Sequence, residues 1–299
     1  MIRSITVTNC FGDSIKLDLA RPELSGFAVE EITGLGPGAA TINTTELSTM
    51  NGSLYNSARL PSRNIVLSLK YLWNPTIEDT RQLSYKYFPI MKKIKLLIET
   101  DNRVAEIEGY VESNEPEIFS DSEGTDISIV CPNPFFYSAG DRGVNVTLFS
   151  SIEPEFEFPF SDDTFELSSY RATTEKTIFY DGDSEIGITI HIHSSGDVTN
   201  ITIANVETRE SMTINTDKMS TLTGSGIVDG DKIVICTVQG AKSVTLIRNG
   251  ELYNILNCLD RDADWFKLSK GNNTFAYNAE TGVNNLSFEI QNRVIYEGV

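Results

Sequence analysis

Residues 92–113, KKIKLLIETDNRVAEIEGYVES, decide the fold class of the first half of this 299-residue chain. Two runs rich in apolar residues flank the pair Asp101-Asn102, and both residues of the pair favour tight turns. The stretch therefore predicts a β-hairpin. Upstream, SITVTN, SIKLDLA and FAVEEIT predict three short strands, and Gly12-Asp13 turns the first into the second. NIVLSLKYLW (64–73) is longer and more apolar, so we expect a strand covered on both faces.

One helix is expected just before the hairpin. Asn74-Pro75-Thr76 ends the preceding strand and supplies an N-terminal cap for the helix. Glu78 and Asp79 suit the positive end of the helix dipole. Residues at helical spacing then follow until Pro89 ends the helix. We expect the apolar members of this stripe to belong to the core.

Beyond about residue 141 the sequence changes to short alternating runs, such as EIGITIHIHSS, VTNITIANV and NLSFEIQNR, separated by Gly-Asp, Gly-Ser and Asn-Gly turns. This spacing predicts an antiparallel β-sandwich. The length exceeds the usual size of a single core, so we predict two domains, 1–140 and 141–299. The acidic and aromatic segment 150–169 is interpreted as their connector. The sequence leaves open whether the last strand returns to the first domain.

The composition narrows the classes of function. The chain has 24 Lys and Arg against 42 Asp and Glu, a formal net charge of −18. Because phosphate backbones and anionic lipids bind clusters of Lys and Arg, this charge disfavours binding of nucleic acid or of a membrane surface. The first residues alternate polar and apolar, unlike a signal peptide, and no run approaches the roughly 20 apolar residues of a spanning helix. We therefore expect the chain to fold in a cytoplasm.

The stretch GLGPGAATINTT, which begins at Gly34, allows two hypotheses. It formally matches the G-x-G-x-x-A fingerprint of dinucleotide-binding folds, but such a site needs a helix start whose N–H groups hold phosphate. The β-branched run that follows does not predict a helix, and Pro37 lacks an N–H group. The second hypothesis, a flexible exit from a strand into a long arm over residues 34–63, is therefore favoured. A loop of that length in a compact domain usually has a function.

Several residues could in principle bind metal or undergo redox chemistry. His191 and His193 share one face of a predicted strand, but no ligand cluster flanks them, so an ordinary strand pair is favoured over zinc. Residues 260–264, DRDAD, resemble the start of a calcium loop without its glycine and glutamate, and an irregular cation site stays open. The cysteines are expected to be reduced and structural, with disulfides as the alternative. They are Cys10, Cys131, Cys236 and Cys258.

Signs of catalysis are weak. There is no G-x-S-x-G motif, and a Ser–His–Asp arrangement has few histidines to use. Carboxylates are abundant without informative positions, so a glycosidase pair stays open but has no specific support. Trp73 and Trp265 could form a platform for sugar, although aromatic residues in strands usually belong to the core. We therefore expect a protein without enzymatic activity, cofactor or metal.

Longer stretches together resemble one protein family. They are GFAVEEITGLGPGAATIN, NGSLYNSARLPSRNIVLSLKY, EDTRQLSYKYFPIMKKIKLLIETDNRVAEIEGYVESNEPEIF and ISIVCPNPFFYS in the first half, and VDGDKIVICTVQGAKSVTL, LDRDADWFKLSKGNNTFAYNA and NRVIYEGV in the second. In this order and spacing the chain resembles the distal tail (Dit) proteins of siphophages over nearly its whole length, apart from residues 145–175.

The resemblance implies a structural protein of the virion tail tip, assembled in the cytoplasm of a host bacterium. In that family a β-sandwich-like N-terminal domain with one helix forms hexameric rings, and a galectin-like β-sandwich projects outward. The ring joins the tail tube to tail-tip, baseplate or receptor-binding proteins, with tape-measure protein and tail-associated lysin or fibre as further partners. DNA passes through the channel without specific binding, which suits an acidic wall.

A ring needs one patch that meets a different patch on the next subunit, and an extended arm can supply it. We therefore predict that the arm forms the ring interface. The predicted contact residues are Gly34, Leu35, Gly36, Pro37, Ile42, Leu54, Tyr55 and Arg59. The alternative is a carbohydrate-binding module whose second domain attaches to host glycans, and a cell-wall hydrolase is the third hypothesis.

Overall fold

The computed structural model of the protein describes residues 1–49, 51–120, 122–140, 143–150, 152–153, 169–170 and 174–299. The chain divides into two units, Met1–Gly143 with Ile295–Val299, and Val144–Val294. The described residues are mainly β, and all strand pairs are antiparallel. The predicted fold class is confirmed. Most of the acidic segment proposed as connector lies outside the described residues.

The first unit is built on one large sheet, and the arm interrupts the succession of its strands along the chain. Its elements in chain order are β1 (Ile2–Asn9), β2 (Ser14–Asp18), β3 (Phe27–Thr33), β4 (Thr41–Glu46), β5 (Ser53–Arg59), β6 (Arg63–Tyr71), α1 (Ile77–Tyr87), β7 (Lys93–Thr100), β8 (Val104–Glu117), β9 (Gly124–Cys131) and β10 (Phe136–Ser138). The sheet has the order β2-β1-β7-β8-β9-β6-β3, with β10 joined to β8, while β4 and β5 pair only with each other among the described residues. The hairpin expected at residues 92–113 is β7–β8.

The sheet folds around a single apolar core. A 3-10 turn, Pro22–Leu24, connects β2 to β3 along the chain. These two edge strands are in contact, so the two edges of the sheet come together. Along β6, Ile65 and Leu67 are fully buried whereas Asn64 is exposed, in regular alternation. The expectation that this strand is covered on both faces is wrong, because only its inner face lines the enclosed core.

Helix α1 begins and ends as its sequence signals predict. The hydroxyl of Thr76 accepts a hydrogen bond from the N–H of Asp79 at 3.1 Å and caps the first turn. Leu83 and Tyr87 pack against the core as partly buried residues. The two fully buried helix positions, Thr80 and Ser84, are polar, and the hydroxyl of Ser84 hydrogen-bonds with the hydroxyl of Tyr71 at 3.2 Å.

The second unit is a two-sheet β-sandwich. Its elements are β11 (Asn145–Ser150), β12 (Ile152–Glu153), β13 (Ser169–Tyr170), β14 (Glu175–Tyr180), β15 (Ile186–Gly187), β16 (Thr189–Ser194), β17 (Thr199–Asn205), β18 (Ser211–Ile214), α2 (Thr216–Thr223), β19 (Lys232–Cys236), β20 (Ser243–Arg248), β21 (Glu251–Asn254), β22 (Lys267–Leu268), β23 (Gly271–Thr281) and β24 (Leu286–Asn292). One sheet has the order β11-β24-β16-β19-β20-β21 and the other β14-β23-β17-β18.

Stacked aromatic rings join the two sheets of this sandwich. Tyr277 on β23 stacks on Phe288 of β24 with ring centroids 4.1 Å apart, and Phe149 of β11 lies 5.4 Å from Phe288. The pattern of alternating runs did not predict α2, which is short and polar. Its ends are nevertheless marked by Asn215, which caps the first turn, and by Gly224 at φ 82°.

The chain returns to the first unit at its last strand, β25 (Ile295–Tyr296), which pairs with β10. The guanidinium of Arg103 lies 4.5 Å from the ring centre of Tyr296. Neither α-helix in the described part of the chain has the length and apolar character needed to cross a bilayer. All four cysteines are free; Cys131 and Cys258 are buried, whereas Cys10 is exposed and does not serve as a core residue.

Candidate functional site

The segment predicted as an arm contains a two-stranded antiparallel hairpin, β4 with β5. Thr41 lies opposite Arg59 at its base, and Glu46 lies opposite Ser53 at its outer end. Every described residue from 36 to 59 is exposed. An isolated two-stranded ribbon is at best marginally stable in water. Among the described residues, none covers either face of this hairpin.

A β-bulge decides which side chains of the arm share a face. The register shifts between Asn43 and Thr44, so that Ile42 lies opposite Ala58 and Thr44 lies opposite Tyr55. Residues directly opposite each other share a face, whereas two residues three positions apart on a regular strand do not. The extra residue therefore places Ile42, Tyr55 and Ala58 on one face, here called the apolar face of the arm. Ile42 is 61% and Tyr55 67% exposed.

The opposite face of the arm is held by side-chain hydrogen bonds. Asn43 donates to the hydroxyl of Ser57 at 3.0 Å, and Asn56 donates to the hydroxyl of Thr45 at 2.6 Å. Leu54, which lies opposite Thr45, belongs to this face. These cross-strand bonds stabilise the ribbon without using the apolar face, which stays available for contact.

Arg63 fastens the base of the arm to the first unit. Its side chain is only 7% exposed, and its guanidinium lies 4.7 Å from the ring centre of Phe136. The loss of hydration on burial lowers the pKa of Arg63 from its usual value. The guanidinium donates to four backbone carbonyl oxygens: Pro134 from Nε at 2.7 Å, Gly34 and Gly36 from Nη1 at 2.6 and 2.5 Å, and Glu297 from Nη2 at 2.7 Å.

The glycine-rich stretch is the place where the chain leaves β3. Gly34 has φ 81°, and a β-carbon there would clash with the carbonyl oxygen of Asn64, so both its conformation and its surroundings require glycine. Leu35 is buried, and its carbonyl oxygen accepts a hydrogen bond from the N–H of Val299 at 3.0 Å. Gly298 packs against Pro37 closely enough that a β-carbon would lie 3.0 Å from the proline ring.

The structure thus divides the predicted contact residues into three groups. Gly34, Leu35, Gly36 and Pro37 form the base of the arm, Ile42 and Tyr55 share its apolar face, and Leu54 and Arg59 lie on the other face. Whether they form an interface stays a prediction. Sequence reasoning missed Arg63 and the segment 297–299, because an arginine that binds backbone carbonyls distant in sequence leaves no motif.

Two candidate metal ligands of the second unit, Asp260 and Asp264, have structural partners, whereas Nδ1 of His191 is buried without a hydrogen-bond partner among the described residues. His191 lies on β16 as a partly exposed residue, and desolvation together with Lys232 lowers its pKa. Asp260 forms an ion pair with Lys218 at 3.2 Å, and Asp264 accepts a hydrogen bond from the N–H of Ser211 at 3.1 Å. Across the described residues, no three His, Cys, Asp or Glu side chains are grouped in a way that could hold a metal ion.

A polar cleft of about 290 Å³ opens on the β17–β18–β23 sheet. Seven of its eight lining residues have hydrogen-bonding side chains, and no lining residue is aromatic. Many of these groups already bond to each other: Asn200 donates to Glu280 at 2.9 Å, and the hydroxyls of Thr202 and Thr213 are 3.0 Å apart. A ligand there would have to replace these bonds.

Fold and site define a mainly β protein of two units with an exposed, anchored hairpin arm, and comparisons with known proteins agree with the resemblance. Residues 181–293 match the family model described as siphovirus-type tail component, C-terminal domain. The sequence matches none of the curated proteins with which it was compared.

Solved structures of phage proteins share the fold over nearly the whole chain. The crystal structure of the SPP1 Dit protein (gp 19.1) matches with a TM-score of 0.66 at 11% sequence identity, covering 97% of this chain and 98% of that one. A chain of the phage P2 baseplate in its activated conformation with Ca matches with a TM-score of 0.50 at 14% identity, covering 97% and 98%. SPP1 Dit is described as a paradigm of the hub adsorption apparatus of phages that infect Gram-positive bacteria. The predicted resemblance to Dit proteins is confirmed.

Proposed function

We propose that this protein is a structural component of a phage tail tip, a distal tail or baseplate hub protein without enzymatic activity. Its copies assemble through the arm into a hexameric ring in the cytoplasm of the host bacterium. The observation on which the proposal depends is the hairpin of residues 41–59, whose faces are both exposed while its base is fixed by Arg63. The domain family of residues 181–293 and the Dit fold support the location in the tail.

Burial of the apolar face would provide free energy for assembly. Ile42 and Tyr55 are each more than half exposed in the single chain, and full burial of one large apolar side chain contributes about 1.5–3 kcal/mol. A fixed base also limits the conformational entropy that the arm loses on binding. A rigid arm that presents an apolar face therefore suits a head-to-tail contact between identical subunits.

The ring joins the tail tube to the tail-tip and receptor-binding proteins, with tape-measure protein and a tail-associated lysin or fibre as neighbours. The support is the name of the matched domain family and the hub and baseplate descriptions of the two structures above. The net charge of −18 suits a channel through which DNA passes without being held, because acidic side chains repel phosphate.

Removal of the arm tests the proposal. An armless variant, in which a short Gly-Ser linker replaces residues 39–60, keeps Gly34, Gly36 and Arg63 and thus the anchored base. We expect wild-type protein to form rings, measured by light scattering and negative-stain microscopy, and the armless variant to be a folded monomer with unchanged β-sheet circular dichroism. Rings formed by the armless variant would overturn the proposal.

A second candidate function is attachment to host glycans through the polar cleft on the β17–β18–β23 sheet. The observation that favours it is the density of amide, hydroxyl and carboxylate groups in this cleft. Binding of full-length protein to a glycan array or to host cell walls, lost in the variant Asn278→Ala with Glu280→Ala, would support it. Absence of binding by wild-type protein, or equal binding by this variant, would rule out the cleft.

A further inference from the structure

We propose that a groove between β2 and α1 receives the arm of a second copy of this chain. The inference depends on the proposed function, since it names the surface that the arm contacts. The groove has a volume of about 550 Å³ and belongs to the first unit. Four of its ten lining residues are apolar or aromatic, namely Ile15, Leu24, Leu83 and Tyr87, and the others are polar or charged, with Lys16, Arg21 and Asp18 as the charged ones.

The apolar part of the groove matches the apolar face of the arm. Leu24 is 64% exposed, and Leu83 and Tyr87 are only partly buried against the core. Exposed side chains of this size gain free energy when another apolar surface covers them. Ile42 and Tyr55 of a neighbouring copy offer such a surface, because the bulge places both on one side of the ribbon.

The charges of the arm and of the groove are also compatible. Glu46 is the single charged residue in the outer part of the arm, residues 40–52. The groove has Lys16 and Arg21, each paired with a carboxylate at its surface: Lys16 with Glu99 at 2.8 Å, and Arg21 with Asp18 at 3.7 Å. These two pairs leave the groove near neutral in a chain with 42 acidic and 24 basic side chains, so an acidic ribbon end meets less repulsion there than the net charge of the chain would impose.

The arm and the groove lie at opposite ends of the edge strand β3. Phe27 pairs with Tyr71 at the end near Leu24, whereas Thr33 pairs with Val66 at the end where the arm leaves. Seven residues of strand span roughly 23 Å. A subunit with an arm at one end and a receptor groove at the other associates head to tail, and such contacts close into a ring when the rotation between subunits permits.

Substitution of exposed groove residues tests the inference without disturbing the core. The groove variant combines Arg21→Glu and Leu24→Glu, and the matched control combines Arg261→Glu and Leu252→Glu on exposed positions of the second unit. We expect the groove variant to be monomeric in light scattering and the control to form rings as wild type does. If the groove variant forms rings while the armless variant is monomeric, the groove is wrong and the proposed function stands.

Mixing two defective variants provides a second, independent test. The armless variant retains the groove, and the groove variant retains the arm. The arm of the groove variant can therefore enter the groove of the armless variant, and this pair has no second arm and intact groove with which to bind a further subunit. We expect a one-to-one complex of twice the monomer mass, whereas each variant alone stays monomeric. Absence of this complex would overturn the inference, and rings of the armless variant alone would overturn the proposed function instead.

Discussion

Nη1 of Arg63 donates a hydrogen bond of 2.5 Å to the carbonyl oxygen of Gly36, the point at which the chain becomes exposed and the arm begins. The same guanidinium also binds the carbonyl oxygens of Gly34 and Glu297. One buried side chain thus fixes both the base of the arm and the segment that returns after β24. The direction of the arm depends on a planar fork of donors, which lysine cannot reproduce.

Removal of this fork is expected to destabilise the first unit. In Arg63→Met, four carbonyl oxygens lose their donor in a site that is 7% exposed, so we expect the free energy of unfolding to fall by about 3 kcal/mol or more. Urea denaturation measures this loss. The control is Arg59→Met at an exposed position of the arm, where the change should be below about 0.5 kcal/mol. Similar losses in the two variants would contradict the anchoring role of Arg63.

The glycines at the base of the arm are not equivalent. Gly34→Ala introduces a β-carbon that clashes with the carbonyl oxygen of Asn64 at φ 81°, so we expect a loss of about 2 kcal/mol or more in the free energy of unfolding. A β-carbon at Gly36 meets no atom within 4 Å, and Gly36→Ala should be nearly neutral. The pair is compared by thermal and urea denaturation, and an equal effect of both substitutions would be inconsistent with this geometry.

The cysteines should differ in reactivity towards a thiol reagent. Burial raises the pKa of Cys131 to about 11, so at pH 8 only about one thiol in a thousand is the reactive thiolate, and access is blocked as well. Exposed Cys10 should account for a fast phase with Ellman's reagent that disappears in Cys10→Ser. As pH rises towards 11 the thiolate fraction of Cys131 increases. Rapid reaction of Cys131 in native protein at pH 8 would contradict its burial.

A buried ion pair lies in the second unit. Arg248 binds both carboxylate oxygens of Asp231, at 2.8 and 2.5 Å, and the Asp231 side chain is 1% exposed. Arg248→Met leaves this buried carboxylate without a cation and with the N–H of Val228, 2.9 Å from Oδ2, as its remaining donor, and we expect a loss of about 3 kcal/mol in the free energy of unfolding. The double variant with Asp231→Asn should recover part of that loss, as measured by urea denaturation. A double variant less stable than Arg248→Met would refute the explanation.

Local patterns predicted those parts of the fold that depend on neighbouring residues. The hairpin around Asp101-Asn102 and the cap of α1 at Thr76 are examples, because turn and cap preferences act over a few positions. Arg63 and the bulge opposite Asn43 were not predicted, because one depends on carbonyl groups distant in sequence and the other on register between strands. Helix α2 lacks the apolar stripe by which helices are found.

The two faces of the arm should differ in their effect on assembly. Ile42→Asp with Tyr55→Asp places two carboxylates on the apolar face, and the loss of two buried apolar side chains is worth about 3 kcal/mol or more, at least a hundredfold in affinity. The matched variant, Thr41→Asp with Ser57→Asp, adds the same charge to the opposite face, so it should retain rings at concentrations where the first variant is monomeric. Light scattering over a dilution series measures both. Equal loss in the two variants would show that a neighbour covers both faces of the ribbon, and equal retention would remove the arm from the interface.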